Sequence, residues 1–521
     1  MANPTLAGLL LLLTLICTTN SARILGIYPL PGHSHYHLAR ALFRELAERG
    51  HDVTVINAFG EKDPPKIGKY RDILLPGLFD QEPKDPKREW NMFKREGLNP
   101  FVGAYVVATM ATKFIGHILN HTNVQNLLHS DEKFDVVIVD NFLSDPFKAF
   151  ATHFDAPLIA VSPVWQNMWI NALAGNPSPS SYVPNVLATY YHPMSFCDRL
   201  TNSLLDVFNY LLYYFYVFPQ HNAFVKQYVP RGGDLNDILY NTSLFLINGH
   251  PSLNQPLPFV PNMIEVGGLH MKPPNKLPKD LQEFFDDAKQ GVVYFSMGSN
   301  LKGVQFPPEK RQEFIKAFSK LKQKVLWKWE GDELPDQPSN VKIIKWAPQS
   351  DIFAHPNLKL FITHGGFVSS IESAYHGVPL LTIPIYGDQM QNAHFSVKNG
   401  YGRFLTYGEI SEENLLENIN AILDNPKYKE NAKRRSDLFH DRPVSPLDTA
   451  VYWVEYVIKH RGAPHLRVAG VDLPWYQYLL LDVIAAIITI ASLGLVVTCF
   501  ITKKICQKVC SKRNNKKKKT A

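Results

Sequence analysis

The sequence predicts an α/β protein of two doubly wound, parallel-sheet domains facing a cleft, with a C-terminal membrane helix. Three observations carry this. Short, wholly apolar runs alternate with helical spacing in each half of the 521 residues, as strands covered on both faces require. A Pro-rich stretch, 251–279, separates the halves, as a linker does. Near the end, Val483 to Ile501 is 19 residues without a charge, enough to cross a hydrocarbon core of about 30 Å.

The elements follow in order. Residues 1–22 read as a signal peptide: Leu9 to Ile16 is apolar but for Thr14, and Cys17 to Ala22 turns small and polar. The first domain is placed at 23–250. Ile24 to Tyr28 is a buried strand, Pro29 to Ser34 a turn, and Leu38, Ala39, Leu42, Phe43 and Leu46 have helical spacing up to Gly50. Val53 to Ile56 completes a βαβ unit, and Phe134 to Val139 is a further strand ending at Asp140. Residues 204–218 are apolar and aromatic but too short to span. They suit either a buried helix or an apolar surface for a ligand or a bilayer.

The linker is placed at 251–285 and the second domain at 286–445. Its strands are predicted at Gly291 to Ser296, Val325 to Trp329, Val341 to Lys345, Leu358 to Thr363 and Leu380 to Ile383, with helices near 308–321 and from about Phe367 and Gln389. A closing amphipathic helix and membrane approach occupy 446–478, the transmembrane helix 479–502, and a basic tail 503–521.

Charge excludes one class. Nine of the Lys and Arg behind the +7 net charge lie in Lys503 to Ala521, so the folded body is near neutral and no nucleic-acid partner is expected. Under the positive-inside rule the tail is cytosolic and the body luminal, a single-pass type I arrangement. Lys518-Lys519-Thr520-Ala521 resembles a di-lysine retrieval signal, which implies the endoplasmic reticulum membrane. Cys197 is the only cysteine between the signal and the membrane segment, so no disulfide closes within the body. Cys506 and Cys510 suit palmitoylation or free thiols equally. Asn120 and Asn241 head Asn-x-Ser/Thr triplets and are candidate glycosylation sites.

The chemistry concentrates in Trp346 to Gln389. The strand Leu358 to Ile362 runs into Thr363-His364-Gly365-Gly366 and a helix start. That arrangement offers free N–H groups and a positive dipole end to a phosphate. His364 and Ser369 can donate to it. Trp346, at a strand end, can stack on a base. Glu372 sits about a turn after Ser369 and can hold ribose hydroxyls. Asp388 and Gln389 follow a strand at the edge where open α/β sheets bind ligands, and suit sugar hydroxyls. Gly298-Ser299 faces the same crevice. In the first domain, Pro31 to His37 holds three histidines after the first strand. An imidazole, with an ordinary pKa near about 6.5, can activate a hydroxyl at neutral pH. A carboxylate such as Asp140 would orient it. On this reading His33, His35 and His37 have equal claim, and His33/His37 lack a third partner for a metal.

These residues resemble the donor signature of the UDP-glycosyltransferase family, in its animal, insect-like, membrane-bound branch. The resemblance covers nearly the whole chain. It implies the two-Rossmann-domain (GT-B) fold, a UDP-sugar co-substrate and no cofactor or metal; no Asp-x-Asp occurs in the chain. It implies inverting transfer to a small lipophilic acceptor. The family's Ser-His-aromatic motif matches Ser34-His35-Tyr36, which selects His35 as base with Asp140 orienting it. Trp346 matches the uracil stacker, Gln349 and Glu372 the ribose contacts, His364 and Ser369 the phosphate contacts, and Asp388 and Gln389 the sugar contacts. Val368 stands where members often have Asn, and Phe367 where plant members have Trp. The branch implies glucose as the sugar and detoxification as the role. Glucuronate would need a carboxylate-binding arginine, for which Arg403 is the candidate. An idle UDP-sugar-binding membrane subunit is a second reading, and homo-oligomerisation stays open.

Overall fold

Burial on both faces dictates the architecture. In the first domain, alternate residues of each strand feed two different cores. Leu25, Val137, Ala160 and Phe245 enter one; Ile24, Val136, Ile159 and Leu244 enter the other. The second domain does the same, with Val293, Trp327 and Ile362 on one side and Tyr294, Leu326 and Phe361 on the other. A period of two with apolar residues at every position leaves no wet face, so helices must cover both.

The computed structural model describes residues 21–30, 32–78, 91–142 and 144–519. Residues 1–20 of the expected signal peptide lie outside these. Strands β1 (Arg23–Tyr28), β2 (Asp52–Asn57), β3 (Lys69–Leu74), β4 (Val136–Asp140), β5 (Leu158–Ser162), β6 (Leu244–Ile247) and β7 (Met263–Glu265) form a sheet of order β3-β2-β1-β4-β5-β6-β7. Strands β8 (Val292–Ser296), β9 (Lys324–Lys328), β10 (Val341–Ile344), β11 (Leu358–Thr363), β12 (Leu380–Thr382) and β13 (Gly402–Phe404) form a second, of order β10-β9-β8-β11-β12-β13. Every pairing is parallel. Both are Rossmann-like, and their strand orders reverse beside β1 and β8, where ligands bind.

Four features refine the sequence reading. β7 lies inside the Pro-rich run and pairs with β6, so the first sheet extends past 250. The helix Pro446–Lys459 returns to the first domain: Val451, Val454 and Val457 pack with Ile24, Leu38 and Leu42. Gly26 lets the helix His33–Glu48 press onto β1; a Cβ there would lie 2.3 Å from Phe43 Cζ. Finally, Phe93 of the first half enters the second domain's core and stacks on Phe306 at 4.3 Å.

The segment 204–218 is helical, with one face buried through Leu205, Asn209 and Val217 and the other exposed. It spans the helix Phe196–Leu212, a π-helical turn Tyr213–Val217 and the start of the helix Phe218–Tyr228. Leu204, Val207, Leu211 and Phe215 stand exposed on the outer face.

Residues 468–521 form a unit of their own. Its one long helix, Leu481–Lys519, contains the charge-free run and continues through the basic segment. The stretch Leu481–Lys512 has a mean hydropathy of 2.6 in its most apolar window, long and apolar enough to cross a membrane. Asn120 and Asn241 are both exposed.

Candidate active site

β1 and β4 are neighbours, so their carboxyl ends deliver two groups side by side. The helix His33–Glu48 begins just after β1, and Asp140 closes β4. His35 Nδ1 and Asp140 Oδ2 are 3.1 Å apart. With Nδ1–H donating, Nε2 is left for the cleft, which His35 lines. Asp140 is buried, and Phe142 packs edge-on against the imidazole at 5.1 Å. The other two histidines have different neighbours. His33 contacts Phe59 and Trp346, with ring centroids at 4.1 and 5.3 Å. His37 meets His270 at 5.6 Å. Of the three, His35 is the one beside a carboxylate.

Across the cleft, the loop after β11 explains its own glycines. His364 is held between Gly298 and Gly366: added Cβ atoms would lie 2.5 Å from its Cε1 and 2.4 Å from its Nε2. Gly298 also has φ +82°, where other residues are strained. Burial, then the Lys328 charge, lowers the His364 pKa to about 4. It is therefore a neutral imidazole at physiological pH. The helix Phe367–His376 follows, capped by Gly366 with no side chain on its first N–H groups, so these are free for an anion.

Gln349 organises the next part. Its Nε2 donates to Ser369 Oγ at 3.1 Å and to Glu372 Oε2, and its Oε1 accepts from Tyr294 OH at 3.2 Å. Burial raises the Glu372 pKa to about 7, against the Gln349 hydrogen bond. Trp346 is 61% exposed, an open indole face with His33 on one side. Asp388 Oδ2 accepts from Asn392 Nδ2 at 2.8 Å, and Asn392 also donates to Gly365 O at 2.9 Å. Burial pushes the Asp388 carboxyl up, while the hydrogen bond from Asn392 and, to a smaller degree, His35 pull it back. Gln389 Oε1 is spent within its own loop, accepting from Ile385 and Tyr386 N–H. That leaves only its amide end for a ligand.

The cleft holds about 610 Å³. His35, Gly298, Ser299, Trp346, Gln349, His364, Gly366, Ser369, Glu372, Asp388 and Gln389 all line it. Gly365 sits behind, its φ of +84° turning the chain against Thr382. Arg403 is elsewhere engaged, donating to Asn418 Oδ1 at 2.7 Å and pairing with Glu417. Among the described residues, no group of three or more His, Cys, Asp or Glu is placed to hold a metal ion.

Two residues escaped the sequence reading. Lys328, at the end of β9, lines the cleft, donates to Gly298 O at 3.0 Å and Glu330 at 2.7 Å, and lies 5.6 Å from the Trp346 ring centre. A cation at the carboxyl end of a buried strand was the available signal. Asn392 shows only as i+4 from Asp388.

Comparison with known proteins bears on the fold and the family. Glycosyltransferase VinC in complex with dTDP superposes with a TM-score of 0.56 at 15% identity, over 84% of this chain and 100% of that one. The calicheamicin glycosyltransferase CalG4 gives 0.53 at 19%, over 84% and 99%. These establish the GT-B fold. UDP-glycosyltransferase UGT5 of Dactylopius coccus is 41% identical over 92% of this chain and 91% of its own length. UDP-glucosyltransferase 2 of the same insect is 38% identical, over 95% and 94%. UDP-glucuronosyltransferase 2B15 of Rattus norvegicus is 30% identical, over 96% and 97%. The family described as UDP-glucoronosyl and UDP-glucosyl transferase matches residues 29–520. With both Rossmann-like domains and the cleft between them accounted for, the chain belongs to that family and is a UDP-glycosyltransferase.

Proposed function

We propose that this enzyme moves glucose from UDP-glucose to the hydroxyl of a small lipophilic acceptor, with inversion at the anomeric carbon and no metal. The observation that carries the reading is the His35–Asp140 pair facing Asp388 across one cleft. His35 Nε2 takes the acceptor proton as the acceptor oxygen bonds to sugar C1. The bond from C1 to the β-phosphate oxygen breaks, and UDP leaves with that electron pair. Asp140 fixes the imidazole tautomer and stabilises the imidazolium. The N-terminus of Phe367–His376, with His364 and Ser369, takes the diphosphate. Trp346 stacks on uracil, Gln349 and Glu372 hold the ribose, and Asp388 with the Gln389 amide holds sugar hydroxyls. The engagement of Arg403 with Asn418 and Glu417 favours a neutral sugar over glucuronate. The charge-free helix and basic tail support a type I endoplasmic reticulum protein with a luminal body.

The test uses membranes carrying the full chain, supplied with UDP-glucose, UDP-glucuronate and a phenol panel. UDP release and a glucoside by mass spectrometry, both lost in His35→Ala, are expected. Equal release from the His35→Ala chain would overturn the base assignment. Silence with every donor, while UDP still binds, would favour an idle binding subunit.

A further inference from the structure

Strand β1 ends at Tyr28, and its neighbour β4 ends at Asp140. The two run parallel with Ile27 opposite Val139, so Tyr28 and Asp140 make the next and last pair. Paired residues on neighbouring strands lie about 4.8 Å apart and share one face of the sheet. The rest of each strand shows which face. Ile24 and Tyr28 of β1, with Val136 and Ile138 of β4, enter the core covered by the helix His33–Glu48. Asp140 continues the alternation of β4 and reaches His35 on that helix.

Both members of the pair are short of a hydrogen bond. Tyr28 is 2% exposed and Asp140 1%. Among the described residues, neither the Tyr28 hydroxyl nor Asp140 Oδ1 has a hydrogen-bond partner. His35 Nδ1 engages Oδ2 alone, and Ser144 Oγ donates to the main-chain O of Asp140, not to its carboxylate. A carboxylate has sites for about four hydrogen bonds, and one buried with a single donor is costly. A buried phenol hydroxyl with no acceptor is costly too. The two needs are complementary, because an ionised carboxylate only accepts and the hydroxyl can donate.

The tyrosine ring is held for this. Phe43 occupies the space that a side chain at Gly26 would fill, and meets the Tyr28 ring edge-on at 5.6 Å. Burial, and then the Asp140 charge, raises the Tyr28 pKa well above its ordinary value. The hydroxyl therefore keeps its proton at physiological pH and stays a donor. Tyr28 lies behind the His35–Asp140 pair and is not among the residues that line the cleft.

We propose that the Tyr28 hydroxyl donates to Asp140 Oδ1, directly or through one water, and that Tyr28 is thereby a positioning residue for the His35–Asp140 pair. One donor on each oxygen fixes the plane of the carboxylate. The carboxylate in turn fixes the tilt of the imidazole that presents Nε2 to the cleft. The role in turnover rests on the proposed function; the hydrogen bond does not.

The test introduces Tyr28→Phe into the full chain and into the full-length Asp140→Ala chain, both in detergent micelles. Loss of a hydroxyl bonded to a carboxylate should lower the melting temperature of the parent by a few degrees. In the Asp140→Ala chain the same hydroxyl has lost its acceptor. Tyr28→Phe should there leave the melting temperature unchanged or raise it. A fall of equal size in both backgrounds overturns the proposal, since the hydroxyl then bonds elsewhere. No fall in either background also overturns it. Asp140→Leu takes the place of Asp140→Ala if that chain does not fold. In kinetics, Tyr28→Phe should lower kcat about three- to tenfold, with acceptor KM and UDP affinity unchanged. A merely structural hydroxyl would not split kcat from KM in this way. Coupled melting temperatures with an unaltered kcat would remove the positioning role. A parent chain with no transferase activity would fail the proposed function, while the melting temperatures still decide the hydrogen bond.

Discussion

Burial sets the ionisation of Glu372 in the cleft, and Asp140 sets the hydrogen bonding of His35; one substitution tests each. The Glu372 carboxyl, raised to about 7 by burial, is half protonated near neutrality in the empty enzyme. Ribose hydroxyls donate to it best when it is ionised. UDP-glucose affinity should therefore rise as pH goes from about 6 to 8, and this slope should vanish in Glu372→Gln; calorimetry across that range measures it. The sign for stability is opposite. A carboxyl whose folded pKa exceeds its unfolded value holds its proton longer when folded, so stability falls as pH rises from about 4.5 to 7. Glu372→Gln should gain thermal stability relative to the parent over that window. The second substitution is Asp140→Asn, which leaves the imidazole in place and removes its counter-charge. We expect kcat to fall on the order of 10²–10⁴-fold with UDP affinity kept; a drop in both together would mean that the pair is structural.

At the scale of elements, the loop after β11 shows why glycine positions are informative. Gly366→Ala would drive a Cβ to 2.4 Å from His364 Nε2 and turn the imidazole from its seat. Loss of one hydrogen bond to a charged phosphate costs about 1.5–3 kcal/mol, so UDP-glucose should bind roughly ten- to a hundredfold more weakly. Unchanged binding would remove His364 from the phosphate site. The helix Gln389–Lys398 makes a different kind of link. Gln391 Nε2 donates to Ala188 O and Tyr190 O at 2.8 and 2.7 Å, His394 Nε2 lies 3.0 Å from Thr189 O, and Lys398 donates to His192 O. This helix of the second domain thus holds the loop whose Val186 and Leu187 line the cleft. Gln391→Ala should raise acceptor KM with UDP affinity unchanged, read by initial rates and calorimetry; a weakened UDP affinity instead would count against this division.

Much of the strand–helix series could be read from the chain because buried parallel strands are apolar at every position, a local signal. The turn after β11 became legible only through the rest of the run from Trp346 to Gln389, since a Gly-Gly pair before a helix is by itself an ordinary turn. The reading stopped where partners are distant in sequence. His33, His35 and His37 are equivalent until Asp140 is placed beside one of them, 105 residues away. Gln391 finds its carbonyls across some 200 positions. The stretch 204–218 could not be resolved between buried and exposed, because an inside-out helix has the same period as an ordinary one. The burial of Leu205, Asn209 and Val217 against the exposure of Leu204, Val207 and Phe215 shows which way it faces.

At the scale of the whole molecule, the polypeptide passes between the two domains twice. It leaves the first after β7, enters the second through the helix Lys279–Asp286, and comes back after the helix Pro426–His440 into Pro446–Lys459. In topological terms the second domain is an insertion within the first. Two parallel strands of chain act like a pair of door hinges: they permit a swing about one axis and resist twisting about the others. A relative motion confined in this way would return Asp388 to the same place opposite His35. It also means that one proteolytic cut in the 266–278 segment leaves the halves joined, and that release of either half needs two.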